Sequence, residues 1–313
     1  MSAQAIALLL QLGLLLVLAP FITGFSKTCK ARLQMRRGPG LLQSYRDLHK
    51  LVRKGMVIPD TASWIFDATP YVLFVTTLLA GLMIPTVSAQ APLSWAGGVL
   101  AVVYLLALGR FFLALAGLDT GSSFGGLGSS REMTIAAIAE PALMLAVFTV
   151  ALGAGSTNLS TVAEFALGQS WRFLAPSQML AFAALFIVLI AETGRIPVDN
   201  PATHLELTMI HEAMILEYSG PHLALIEWSA SIKQLVLMTL LVNVFFPFGL
   251  STEWSALPLA LSFVLFVVKL LLLAGVVVLV ETTIAKLRLF RVPELLAVAF
   301  VLSALALISM FIF

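Results

Sequence analysis

Ala256-Leu-Pro-Leu-Ala-Leu-Ser-Phe-Val-Leu-Phe-Val-Val-Lys-Leu-Leu-Leu-Leu-Ala-Gly-Val-Val-Val-Leu-Val280 runs for 25 residues with one charge, Lys269. A helix needs about 20 mostly apolar residues to cross the hydrocarbon core of a bilayer. Seven further stretches of the 313-residue chain read the same way: roughly 3–25, 70–88, 96–118, 133–153, 173–192, 228–248 and 292–313. With 60% apolar and 11% charged residues, the chain cannot cover a water-facing globular surface, since soluble domains carry about 25% charged residues. The composition therefore predicts an all-α, polytopic membrane protein of about eight transmembrane helices, forming one transmembrane domain over 1–313. It excludes a nucleic-acid binder, a disordered chain and a disulfide scaffold, because Cys29 is the only cysteine. No Lys or Arg precedes the first span, so it reads as retained rather than as a cleaved signal.

Lysine and arginine predict orientation. Nine of the 18 lie between the first two spans, from Lys27 to Lys54, and five more (Arg131, Arg195, Lys286, Arg288 and Arg291) follow spans three, five and seven. The opposite loops hold only Arg172. The bias makes the loops at about 27–69 and 193–227 cytoplasmic and puts both termini on the other side.

Polar residues concentrate in those loops. Leu41, Leu42, Tyr45, Leu48, Leu51 and Val52 share a helical stripe, with Arg46, Lys50, Arg53 and Lys54 off it. Such a helix suits an anionic lipid surface or a soluble partner. The turn Arg36-Arg37-Gly38-Pro39-Gly40 ahead of it favours a defined docking geometry. Leu118 to Glu132, rich in glycine and serine, resembles a phosphate loop only superficially. It lacks the Gly-Lys-Ser/Thr ending and predicts close helix packing or an unwound boundary segment. Asp119, Arg131 and Glu132 are candidates for a charged network there. In the third loop, Asp199 or Asn200 reads as the cap of a helix with Pro201 at its first position, ending at Tyr218-Ser219-Gly220-Pro221. His204 and His211 lie two turns apart, too far for a metal clamp, so no metal is expected.

Ionisable groups inside spans are costly and mark function by default. Arg110, Glu140, Lys233 and Lys269 lie within spans, while Glu192 and Glu281 sit at cytoplasmic ends. Pairing, such as Glu140 with Arg110 plus snorkelling of Lys233, would simply neutralise them. A hydrated proton path would instead use Glu140, Glu192, Glu132, Asp119, Glu217, Glu227, Lys233, Lys269 and Glu281.

Together these motifs resemble one family: the conserved proton-pumping membrane subunit of respiratory complex I (NADH dehydrogenase) and its relatives in membrane-bound [NiFe] hydrogenases of the hydrogenase-4 type and formate hydrogenlyase. The hydrogenase branch is matched by Arg36-Arg37-Gly38-Pro39-Gly40 with Tyr45-Arg46-Asp47 and Lys50, and by Gly117 to Glu132. Glu192-x-Gly-Arg195-Ile-Pro-x-Asp199, Glu217-Tyr-Ser-Gly220, Lys233-Gln234 and Glu281…Arg288-Leu289 complete the match. The resemblance implies an eight-helix junction subunit in a bacterial or archaeal inner membrane. Arg36, Arg37, Gly38, Pro39, Arg46, Asp47, Lys50, Arg131, Arg195 and Asp199 would dock soluble subunits. The implied partners are [NiFe] hydrogenase-like large and small subunits, a ferredoxin-like iron–sulfur subunit and antiporter-like membrane subunits. Iron–sulfur clusters and the nickel–iron centre would reside in those partners. This chain would carry no catalytic residue and no redox cofactor. In complex I the matching subunit forms most of a quinone chamber. Here Ala202 and His204 replace two acids of that loop, which is about three residues longer. The expectation is therefore the hydrogenase-type complex without bound quinone. A quinone-chamber subunit or a purely structural anchor are the alternatives. A stand-alone transporter is disfavoured by the lack of an inverted repeat.

Overall fold

A computed structural model of the chain describes residues 3–168, 175–199, 209–253 and 255–312. It is helical, with no strand among the described residues beyond an isolated pairing of Ser88 with Ser251. The elements are α1 (Ala3–Leu33), α2 (Gln43–Val52), α3 (Trp64–Leu82), α4 (Val99–Asp119), α5 (Ser123–Ala154), α6 (Leu159–Gly168), α7 (Pro176–Glu192), α8 (His211–Ile215), α9 (Gly220–Phe245), α10 (Ala256–Thr283) and α11 (Val292–Ile312).

Among the described residues, seven helices are long and apolar enough to cross a membrane: α1, α3, α4, α5, α9, α10 and α11, the last with its leading turn. The span expected at 173–192 is the 17-residue α7, shorter than these and about 25 Å long. Several borders move for local reasons. α3 starts at Trp64 rather than 70, because Ser63 caps it by accepting from the Ile65 N–H and Pro70 is accommodated within the helix. α9 starts at Gly220 rather than 228. Pro221 suits its first turn, where no intrahelical N–H is needed. The helix expected from Pro201 falls largely outside the described residues, as do Ala202 and His204. Its described end is the single turn α8.

Helices α3, α4, α5, α7 and α9 pack in succession, and α9 returns to α3, closing a ring. Outside the ring, α1 packs on α9 and carries α10, and α11 seats on α5 and α7. The glycine-rich exit of α4 makes the tight corner. Gly125 in α5 lies against the Gly117 carbonyl of α4, where a β-carbon would collide with backbone. The stretch expected as a packing or unwound segment is thus mostly helix, starting at Ser123. A large core of leucine, valine and alanine fills the bundle.

Candidate functional site

Arg110, midway along α4, points into the ring and is 5% exposed. Its Nη1 donates to Glu140 Oε1 at 2.7 Å, its Nη2 bonds Glu192 Oε2, and its Nε lies 3.6 Å from Glu132 Oε1. Lys233 of α9 reaches the same Glu192 oxygen at 2.8 Å. Two cations thus face three carboxylates from α5 and α7. Glu192 is 6% exposed, whereas Glu140, held by Arg110 alone, is 34% exposed. A cavity of about 80 Å³ lies among Arg110, Glu132, Glu192 and Lys233, with Leu73 and Thr77 of α3 on its wall. That space accepts several water molecules beside polar partners.

A second group continues the array towards α1 and α10. Glu281 is 4% exposed and accepts from Arg195 Nη1 at 2.8 Å and pairs with Lys30 at 3.1 Å. Arg195 Nη2 also donates to Gln234 Oε1 at 2.7 Å, so adjacent residues of α9, Lys233 and Gln234, each serve one group. Asp199 pairs with Lys286 at 3.0 Å and accepts from the Ile210 N–H, while Arg131 donates to the Met209 carbonyl at 2.7 Å. Those contacts grip both ends of the segment that follows α7. Beside this group lies a cavity of about 270 Å³ whose wall includes Lys27, Lys30, Arg195, Glu212, Glu227 and Glu281. Burial pushes the Glu212 carboxyl above the usual carboxylate range, against the pull of His211.

The remaining sequence candidates fall elsewhere. Asp119 steadies the start of α3 by accepting from the Ser63 N–H at 2.7 Å. Glu217 is exposed. Its motif neighbours do structural work: Tyr218 stacks on Phe66 and donates to the Phe66 carbonyl, and Ser219 exchanges hydrogen bonds with the Val57 backbone. Burial holds the Tyr218 phenol protonated, as that bond requires. Lys269 stands apart, on α10, where its ammonium donates to the Phe246 carbonyl at 2.7 Å near the end of α9. Arg36, Arg37, Arg46 and Lys50 are exposed, and Asp47 accepts from Gln43 one turn earlier in α2. Gly38 and Pro39 fold back on α1 through Ala31 and Thr28. Arg131, Arg195, Asp199 and the Arg36–Arg37 turn lie at one end of the bundle, as the loop charges predict. Sequence reasoning assigned Arg110 only a neutralising part and Lys30 and Lys286 only a topological one. The mid-span position of Arg110 was the signal that could have marked it as the hub. No cluster of three or more metal-ligating side chains occurs among the described residues.

A ring of membrane helices around shared carboxylates, with charged loops gathered at one end, defines a polytopic membrane protein with a buried ionic group. The family model described as NADH dehydrogenase matches residues 5–312, and the chain belongs to that family of complex I-like membrane subunits. It is 38% identical to hydrogenase-4 component C of Escherichia coli K12, over 95% of this chain and 93% of that protein. Formate hydrogenlyase subunit 4 of the same organism is 37% identical, over 96% and 97%. The corresponding NADH-quinone oxidoreductase subunit of Caulobacter vibrioides is 30% identical, over 76% and 71%. The fold is that of a chain in the membrane-bound sulfane sulfur reductase, an archaeal respiratory membrane complex, with a TM-score of 0.86 over 98% of this chain and 99% of that one at 20% identity. These relatives are parts of multisubunit membrane complexes.

Proposed function

We propose that the protein is the membrane junction subunit of a hydrogenase or formate hydrogenlyase-type complex, anchoring a soluble redox arm and coupling its electron transfer to translocation of protons or sodium ions. The observation that carries this reading is the sharing of Arg110 by Glu132, Glu140 and Glu192 inside the helix ring. Three carboxylates against two cations leave the group one cation short, a deficit that one bound proton removes. Glu140 is the natural holder: of the two carboxylates that Arg110 holds by hydrogen bonds it has one cationic partner among the described residues where Glu192 has two, and its greater exposure gives a proton access. Protonating Glu140 weakens its hold on Arg110, whose guanidinium then serves Glu192 and Glu132. Proton occupancy on one carboxylate is thereby linked to the geometry of the others. The second group, through Glu281, Arg195 and Gln234, extends the array towards the charged loops that would dock hydrogenase-like and iron–sulfur subunits. Arg36, Arg37 and the folded-back Gly38-Pro39 turn would present the contact. The described residues of this chain would hold no redox centre, and the electrons would stay in the soluble arm.

Glu140→Gln in the assembled complex, with redox turnover and ion pumping measured separately, tests the reading. Pumping per electron should fall at least tenfold while electron transfer by the soluble arm persists; unchanged pumping would leave only a structural anchor. Quinone should be absent. The 270 Å³ cavity between α1, α9 and the segment after α7 has a charged wall, which an apolar quinone tail does not favour. Stoichiometric quinone in the purified complex, or turnover blocked by quinone-site inhibitors, would support the quinone-chamber function instead.

A further inference from the structure

The first loop places its helix at a definite height. α1 runs to Leu33, but the chain then reverses beside it: Gly38 packs on Ala31, Thr28 donates to the Pro39 carbonyl at 2.8 Å, and the Leu41 carbonyl lies against Gly24. α2 thus begins about nine residues, or roughly 13 Å, back down α1 from its end. From there Tyr45 reaches still deeper, its hydroxyl donating to the Val17 carbonyl. About 20 residues of α1 fill a hydrocarbon core. Counted from Ala5, where the apolar span starts, that core ends near Gly24. By that count the start of the helix stands at the height of the membrane boundary, while the last turns of α1 and the Arg36–Arg37 turn project beyond it.

The two faces of α2 differ. Ser44, Asp47, Leu48 and Leu51 line a cavity of about 250 Å³ with Lys27 and Glu227, so the only acid of the helix, itself exposed, lies on the side that meets α1 and α9. Arg46, Lys50 and Arg53 are exposed and recur at spacings of four and three, which puts them on one stripe. Exposed Leu42 and Val52 flank that stripe, and Met56, Val57 and Ile58 continue the apolar surface beyond it.

We propose that the Arg46–Lys50–Arg53 stripe binds the headgroups of anionic phospholipids in the adjoining leaflet. A basic stripe edged by exposed apolar side chains at the membrane boundary matches a phosphate with an acyl chain beneath it, whereas a soluble partner would find the stripe at lipid height. Its function would be to fix the depth and tilt of α2, and with it the roof over the cavity that Lys27 and Glu227 share. The inference rests on membrane insertion alone and is independent of ion coupling.

The test uses the intact complex in nanodiscs of phosphatidylcholine with and without phosphatidylglycerol, with the retained lipid quantified after mild detergent extraction. Wild type should enrich phosphatidylglycerol, and should lose that enrichment as salt rises to about 1 M. Replacing Arg46, Lys50 and Arg53 together by Gln should lower the preference on the order of 100-fold, at the roughly 1 kcal/mol that each basic group contributes near such a surface. Arg46→Lys with Arg53→Lys should retain it. Equal enrichment in the triple Gln variant overturns the proposal. So does loss of a soluble partner from that variant in both lipid compositions, which would assign the stripe to an acidic protein surface.

Discussion

In the loop-bearing half of the bundle, ion pairs join α1 to α10, α4 to α5 and α7, and α7 to α9. At the opposite end, neutral amides grip backbone carbonyls. Gln11 donates to Gly81 and Ile84 at 2.8 and 2.7 Å, and the fully buried Asn243 donates to Pro85 and Thr86 at 2.8 and 2.9 Å. Even Lys269, a cation of that region, is held by a carbonyl. Both solutions satisfy polar groups that the bilayer core cannot hydrate. Only the first can change its charge at little structural expense, because a shared guanidinium has alternative partners. The far end reads as a fixed frame, and the loop end as the half that can respond.

That contrast can be broken most strongly at Arg110. Arg110→Met leaves three carboxylates facing one lysine in the ring, and loss of one member of a buried ionic group costs about 3–5 kcal/mol. The expected result is poor accumulation of the complex, rescued in part by combining Arg110→Met with Glu192→Gln, as read by yield and thermal unfolding. Asn243→Leu should cost about 1–2 kcal/mol, since two buried carbonyls lose their donor, and should lower thermal stability without altering ion coupling per electron. Tyr218→Phe removes one hydrogen bond but keeps the ring stack on Phe66, so about 1 kcal/mol is expected in the same unfolding measurement. Glu217→Gln, on an exposed side chain, should change stability by less than about 0.5 kcal/mol. Its coupling should equal wild type if Glu217 lies off the proton route, and a drop would extend the responsive half to the exposed loop.

Much of the architecture is legible from local signals. The apolar runs mark the spans because the bilayer demands a continuous stretch of fixed length, and the amphipathic stripe of residues 41–52 marks α2. Borders are less legible where polar residues lie inside helices: Asp67 in α3 and His222 and Glu227 in α9 resemble loop residues until the Ser63 cap and the Pro221 turn are seen. The Arg110–Glu140 pair can be guessed from opposite charges in neighbouring spans. Glu192 and Lys233 can be named as candidates by residue type, but their pairing with each other and with Arg110 cannot be read, because it depends on α7 and α9 closing the ring, a contact between distant parts of the chain that no local period encodes. Likewise Glu217 and Lys269 resemble the ring's charged residues by type, and only the packing shows that they stand apart from the Arg110 group.

The tight corner between α4 and α5 bears on how the chain enters the membrane as it is made. Only Thr120, Gly121 and Ser122 separate the two helices, and the Gly117–Gly125 contact lets them lie together at that end. Arg110 and its partners Glu132 and Glu140 are therefore carried on one helical hairpin. A mid-span arginine or acid entering the bilayer alone costs about 2.5–3.5 kcal/mol even on the lenient insertion scale. Entering as a hairpin, Arg110 and the two acids that share it offset one another before α7 and α9 have left the ribosome. Glu192 then arrives with α7 and meets its second cation, Lys233, only with α9, so the one-cation deficit of the finished site is set last.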